Sequence, residues 1–284
     1  MTRFKWAAVI VFTLIIGGSF AQRNYTRNTR VDRRGVPDWQ PAPAFEHDVF
    51  TFVRIEYDSG GGRGGWGRGG RGRGRGAGWR TDWPDSDLNF SYRLHQLTAM
   101  EVNPDGKILR LTDPELFHYP FIYIVEPGSL TFSEAEVEAL RTYLLSGGFL
   151  MVDDFWGDAE WYNFRDEMRR VFPNRRPEEL PVSHPIFSAV FDLKQKPQVP
   201  NISAALQGRS QGITWEWNKN PGAEEVHFRA IFDDDRRMMA IICHNTDLGD
   251  GWEEEGVDEW YFHEFSETKA YPMGINIVFY AMTH

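Results

Sequence analysis

The sequence predicts an open α/β fold, a mostly parallel central sheet flanked by helices. Residues 133–154, SEAEVEALRTYLLSGGFLMVDD, read as a helix, a glycine stop and a buried strand ending in two adjacent carboxylates. Residues 121–126, FIYIVE, repeat the pattern of a continuous apolar run closed by an acid. Such runs suit strands covered on both faces, and the short links between helix and strand are those of a parallel sheet. Ligands of such sheets bind outside the carboxyl ends of the strands, so the fold class also nominates a site.

The elements follow in order. Residues 1–21 carry the marks of a secretory signal: Arg3 and Lys5, an apolar run over 6–16, and Ser19-Phe20-Ala21 before Gln22. The apolar run is short for a membrane span; an uncleaved N-terminal anchor is the alternative. Residues 22–47, polar and bearing Pro37, Pro41 and Pro43, read as a flexible leader before a single α/β domain over 48–284. Residues 50–57 alternate and are β-rich, the first strand. The stretch 59–79 is dominated by glycine and arginine and reads as a disordered loop insertion. Asp85 or Asp87 is expected to cap a helix bearing Phe90, Leu94 and Leu97 on one face. A short strand over 107–111, a proline-initiated turn at Asp113-Pro114 and the strand 121–125 follow.

Ser133 and Glu136 form a capping box, with Phe132 and Val137 as its hydrophobic staple. Val137, Leu140 and Leu144 give that helix an apolar face, and Gly147-Gly148 supply its stop. Asp158 is expected to cap the next helix, with Trp161, Phe164, Met168 and Val171 inward and Pro173 ending it. Further on, a short strand is expected over 179–182 and a strand pair over 228–232 and 238–243. An acidic loop is expected over 247–267, and a final apolar helix over 271–282.

The net charge of −10 argues against general nucleic-acid binding. Residues 23–80 hold 12 basic and 6 acidic side chains, while 81–284 hold 17 and 35, so the body is strongly acidic. An RGG-type RNA-binding role for the glycine-arginine loop is therefore disfavoured, although a polyanion outside the cytoplasm remains open. Cys243 is the single cysteine, which excludes an intramolecular disulfide.

The candidate site gathers the strand ends and their loops: Asp58, Glu126, Asp153 and Asp154, with Arg80, Asp82 and Trp156. Adjacent residues of a strand point to opposite faces, so Asp153 and Asp154 share a site only if a turn begins between them. An inward carboxylate could serve as general base, metal ligand or sugar-hydroxyl acceptor. The competing structural roles are a cap for the following helix and an ion pair with Arg80. None of the eight histidines shows zinc-binding spacing and 247–251 lacks the calcium-loop pattern, so no metal is expected. Nor is any cofactor. No G-x-S-x-G elbow is present. Trp83, Trp156, Trp252 and Trp260 could stack on sugars or fill the core.

Several segments, WRTDWPDSDLN at 79–89, LTDPELFHYPF at 111–121, LLSGGFLMVDDFWG at 144–157 and LPVSHPIF at 180–187, are similar to a bacterial family. With DLGDGW at 247–252 and GINIVFYA at 274–281, the chain resembles the domain-of-unknown-function family 4159 over roughly 48–283. That resemblance implies kinship with the class I glutamine amidotransferase-like superfamily and a flavodoxin-like sheet. His184-Pro185-Ile186 is similar to a motif of its trehalose-utilisation-like members, where it looks structural. Amidotransferases place a cysteine nucleophile after a central strand; here Asp153-Asp154 stand at such a strand end. The expected function is a non-catalytic module of the cell envelope that binds a small polar or carbohydrate ligand or an envelope protein. A carbohydrate-related hydrolase using Asp153 or Asp154 is the alternative.

Overall fold

A computed structural model describes residues 32–45, 48–59, 78–217, 219 and 221–284, which belong to one compact unit, Asp32–His284. The signal segment and residues 60–77 of the glycine-arginine insertion lie outside the described residues.

The strands are β1 (Val53–Ile55), β2 (Asp58–Ser59), β3 (Lys107–Leu109), β4 (Phe121–Val125), β5 (Leu130–Thr131), β6 (Phe149–Asp153), β7 (Glu178–Glu179), β8 (His227–Phe232) and β9 (Met238–His244). Seven form the central sheet, in the order β3-β1-β4-β6-β9-β8-β7. The run β3-β1-β4-β6-β9 is parallel, and β8 and β7 close one edge antiparallel. β2 pairs with β5 in a separate ribbon. Every residue of β4, β6 and β9 is buried, as their uninterrupted apolar runs require.

Helices cover both faces. On one side α1 (Asp85–Leu97), α5 (Leu248–Glu253) and α7 (Tyr271–Thr283) pack Phe90, Trp252 and Ile275 onto Phe52, Phe121 and Tyr123. On the other, α2 (Glu134–Leu145) and α3 (Gly157–Val171) pack Leu140 and Phe164 onto Ile122, Leu150 and Val152. The Ser133–Glu136 capping box is present. α4 (Ile202–Gly208) packs against α6 (Glu259–Tyr261), which runs through a π-helical stretch, Phe262–Ala270, into α7.

Several expectations shift. The span 247–267 holds α5, a turn over 254–257, α6 and the start of the π-helical stretch; Asp247 caps α5 by accepting from the Asp250 amide at 2.8 Å, and Leu248 and Trp252 turn inward. Asp247 and Asp250 hide the apolar period: they sit inside, where a sequence pattern expects apolar groups. Asp158 does not begin α3, whose first residue is Gly157. Glu160 reaches back instead and accepts from the Trp156 amide at 2.7 Å. Asp87 does not cap α1, because a buried arginine on β1 claims it (below). Part of the expected leader is docked: Trp39 stacks on His95 and donates its indole N–H to the Val102 carbonyl at 2.8 Å. The strand expected over 179–182 is Glu178–Glu179.

Candidate acidic crevice at the strand ends

β4, β6 and β9 end side by side, and each is followed by a non-glycine residue in the left-handed region: Glu126 (φ 48°), Asp154 (φ 54°) and Asn245 (φ 60°). Asp82 (φ 64°), in the turn before α1, is a fourth. Such conformations persist only where surroundings over-determine them. Here the determinants are visible. The Asp154 amide is tied to the Thr246 carbonyl at 3.2 Å, and the Glu126 amide to the Asp153 carbonyl at 3.2 Å. Asn245 accepts from the Gly157 amide and donates to the Gly222 and Glu225 carbonyls, each at 2.7 Å.

The turn carrying Asp82 is fixed from β1. Arg54 is fully buried; it donates to both Asp87 carboxylate oxygens from Nε at 3.1 Å, to the Trp79 and Thr81 carbonyls at 3.1 and 2.9 Å, and to Ser86 Oγ at 2.9 Å. Sequence reading passed over Arg54, because a charge in the middle of a strand has no local signature, and took Asp87 only for a helix cap.

The left-handed Asp154 is the turn that the paired aspartates require, and it separates their roles. Asp153 stays with the sheet: its Oδ2 accepts from Tyr123 OH at 3.2 Å and from the Gly249 amide at 3.0 Å. It thus pins the start of α5 to β6. Burial raises its carboxyl to about 7. Asp154 faces the other acids, with Oδ1 accepting from the Trp156 indole at 3.2 Å. Burial, then the charges of Glu126 and Glu216, hold it well above the usual carboxylate range.

One carboxylate oxygen from each of Asp82, Asp154 and Asp247 lies within 4.8 Å of the others, and the same holds for Asp82, Asp250 and Glu253. Asp247 and Asp82 are both raised well above normal by burial and by Asp154. Asp250 is raised to about 7 by burial, although its Oδ2 accepts from the Ile202 amide at 2.7 Å and from Tyr261 OH at 3.1 Å. Lys219, 3.2 Å from Glu216 Oε2, opposes part of the rise at Asp154. Raised carboxyl pKa values gathered at a strand-end crevice are a mark of functional sites.

Gly249 sits in the middle of this arrangement. A Cβ there would stand 2.8 Å from Asp82 Oδ2, 3.0 Å from Tyr123 OH and 3.5 Å from Asp247 Oδ1. Gly249→Ala is therefore expected to cost about 1–3 kcal/mol, measured by denaturant titration; an unchanged midpoint would show the neighbours can yield.

Of the residues nominated from sequence, Asp82, Glu126, Asp153 and Asp154 come together, though Asp153 is wholly enclosed. Trp156 joins them through its indole N–H on Asp154, and the others have different employment. Asp58 is on the ribbon strand β2, 73% exposed at its side chain and 3.4 Å from Arg110. Arg80 stacks its guanidinium over Trp79 and Trp83, at 5.5 and 5.2 Å from the ring centroids. Trp156 and Trp252 are fully buried, so neither offers a face to a sugar. His184 caps the turn Pro185–Ser188, its Nδ1 accepting from the Ile186 amide at 3.3 Å, and packs on Tyr280. Cys243 is buried inside β9, where burial pushes its thiol up, away from a reactive thiolate.

Asp247, Asp250 and Glu253 were missed as site residues. The signal was present in DLGDGW at 247–252, but that segment was read as a family mark and as a loop without calcium-binding spacing. The expectation of no metal rested on local spacing, which is silent about carboxylates drawn from the turn at 82, the end of β6 and the start of α5. Among the described residues no helix is long and apolar enough to cross a membrane.

No curated protein matches the chain. A family model does, over residues 51–282, nearly the whole of the sheet and the crevice. The chain belongs to that family, the Domain of unknown function DUF4159.

Proposed function

We propose that this protein is an exported binding module of the cell envelope, and that it receives a polar ligand, or a polar group of an envelope partner, at the acidic crevice. One observation carries the reading: Asp82, Asp154, Asp247 and Asp250 converge where three strands end in left-handed residues. Crevices beyond the carboxyl ends of strands are where open α/β sheets bind ligands. Export follows the signal-like segment at 1–21.

Numbered along the chain, the five parallel strands lie in the order second, first, third, fourth, fifth. That is the flavodoxin-like order, and it supports kinship with the amidotransferase-like superfamily. Inherited thiolate chemistry has no support, because the only sulfhydryl is inside β9. A non-catalytic role accords with the absence of a nucleophile motif from the sequence.

The test is a thermal-shift screen of sugars, polyols and envelope glycans on the full-length protein and on Asp82→Asn. A ligand that raises the melting temperature of the first and not of the second supports the reading. A ligand that binds both equally places the site elsewhere. Turnover of a glycan that disappears in Asp154→Asn would replace the binding module with the hydrolase.

A further inference from the structure

We propose that Asp82, Asp154 and Asp247 hold a hard divalent cation, through which the crevice takes its polar ligand; this deepens the binding reading above and rests on it. The triad is made of oxygen donors alone, with no imidazole or thiolate, which selects calcium, magnesium or manganese over softer metals. Its three oxygens lie within 4.8 Å of one another. Two oxygens bound to one calcium ion at ~2.3–2.6 Å stand at most about 4.6–5.2 Å apart, so one ion can reach all three.

An independent observation comes from Asp82. Its Oδ2 is enclosed, has no hydrogen-bond partner, and borders the space that the missing Gly249 side chain leaves beside Asp247 Oδ1. Buried polar atoms are almost always partnered, and an orphan asks for a missing ion or water. An acceptor-only carboxylate oxygen beside two further carboxylates is the natural seat of a cation.

The charge balance points the same way. Asp250 and Glu253 flank Asp82, while Glu126 and Glu216 flank Asp154. Of the cations nearby, buried Arg54 is committed to Asp87, and Lys219, 38% exposed at its side chain, lies beside Glu216. Asp82 and Asp247 thus face each other without a dedicated counter-charge among the described residues. Calcium takes ~6–8 oxygens; three from the protein leave positions for water or for the hydroxyls of a polyol.

The test uses full-length protein stripped with a chelator and dialysed. Melting is followed at about pH 8, since metal binding displaces protons from carboxyls and is favoured as pH rises, with calcium, magnesium or manganese chloride added to millimolar level. Calcium binding is also titrated calorimetrically. The expected result is a saturable rise of roughly 5–10 °C with at least one cation. That rise disappears in Asp82→Asn and Asp247→Asn. Asp82→Asn is expected to melt no lower than metal-free wild type, because it removes a buried repulsive charge, and this shows that it is folded. A wild-type curve unmoved by all three cations, or an equal rise in Asp82→Asn, overturns the proposal. If the cations fail while a sugar or polyol still depends on Asp82, the cation is wrong and the crevice stands. If neither depends on Asp82, both fall.

Discussion

Arg54→Met is expected to cost about 3–5 kcal/mol in urea denaturation, the usual penalty for stranding one partner of a buried ion pair. Arg54 is fully buried and Asp87 is 3% exposed, so water cannot replace the lost guanidinium. The substitution also strands the Trp79 and Thr81 carbonyls that Arg54 now satisfies. Those carbonyls hold the segment that carries Asp82 in its left-handed conformation, so the loss reaches the crevice as well as the core. The double variant Arg54→Met, Asp87→Leu should recover a large part of the stability, because it removes the orphaned charge with its partner. A single-variant loss under about 1 kcal/mol would mean that Asp87 finds another partner, and that Arg54 does not set the turn.

Stability of the metal-free protein is expected to fall as pH rises from about 6.5 to 8.5, opposite to the behaviour of paired surface carboxylates. The sign follows from the direction of the shifts. Asp153 and Asp250 are raised to about 7, and Asp82, Asp154 and Asp247 well above the normal value, chiefly by burial. The folded state therefore binds more protons than the unfolded one above the unfolded carboxylate pKa. Each carboxyl that is still protonated contributes a loss on the order of 1.4 kcal/mol per pH unit until its folded pKa is passed. Four imidazole and carboxyl groups act the other way, but at lower pH: His184, lowered by burial, and Glu178, lowered by Arg236, join the two with the larger shifts. His244, lowered to about 3 by burial, and Glu179, lowered to about 2 by His227 and Lys196 against its burial, lose their stabilising contribution as the solution is acidified. Above about pH 7.5 His244 is neutral and Glu179 ionised in both states, so there the slope reports the crevice. Urea midpoints that hold steady or rise over this range would show that the carboxyls are not desolvated as described. Calcium should flatten or reverse the slope, since ionised carboxylates bind it best.

The legible parts of this molecule were those written in local chemistry. The strand over 121–125 and the capping box at Ser133 and Glu136 lie where apolar continuity and side-chain capping put them. Helix boundaries were less secure. Asp158 and Asp87 look like caps, yet neither caps its helix: α3 is closed from inside by Glu160, and Asp87 is claimed by an arginine from another element. The helix at 248–253 was read as a loop, because buried carboxylates break the apolar period that announces a helix.

For the site, the sequence determined the strand-end acids and forbade Asp153 and Asp154 from sharing a face without a turn between them. Only the tertiary structure decided which aspartate turns. The left-handed Asp154 is held by the Thr246 carbonyl and points to Asp82 and Asp247, whereas Asp153 stays locked to Tyr123 and Gly249. The physical reason is range. A cap or an apolar run is settled within a few residues, whereas the electrostatics of the crevice depend on carboxylates more than 160 residues apart, from Asp82 to Asp247, brought within a few ångströms by the order of the strands.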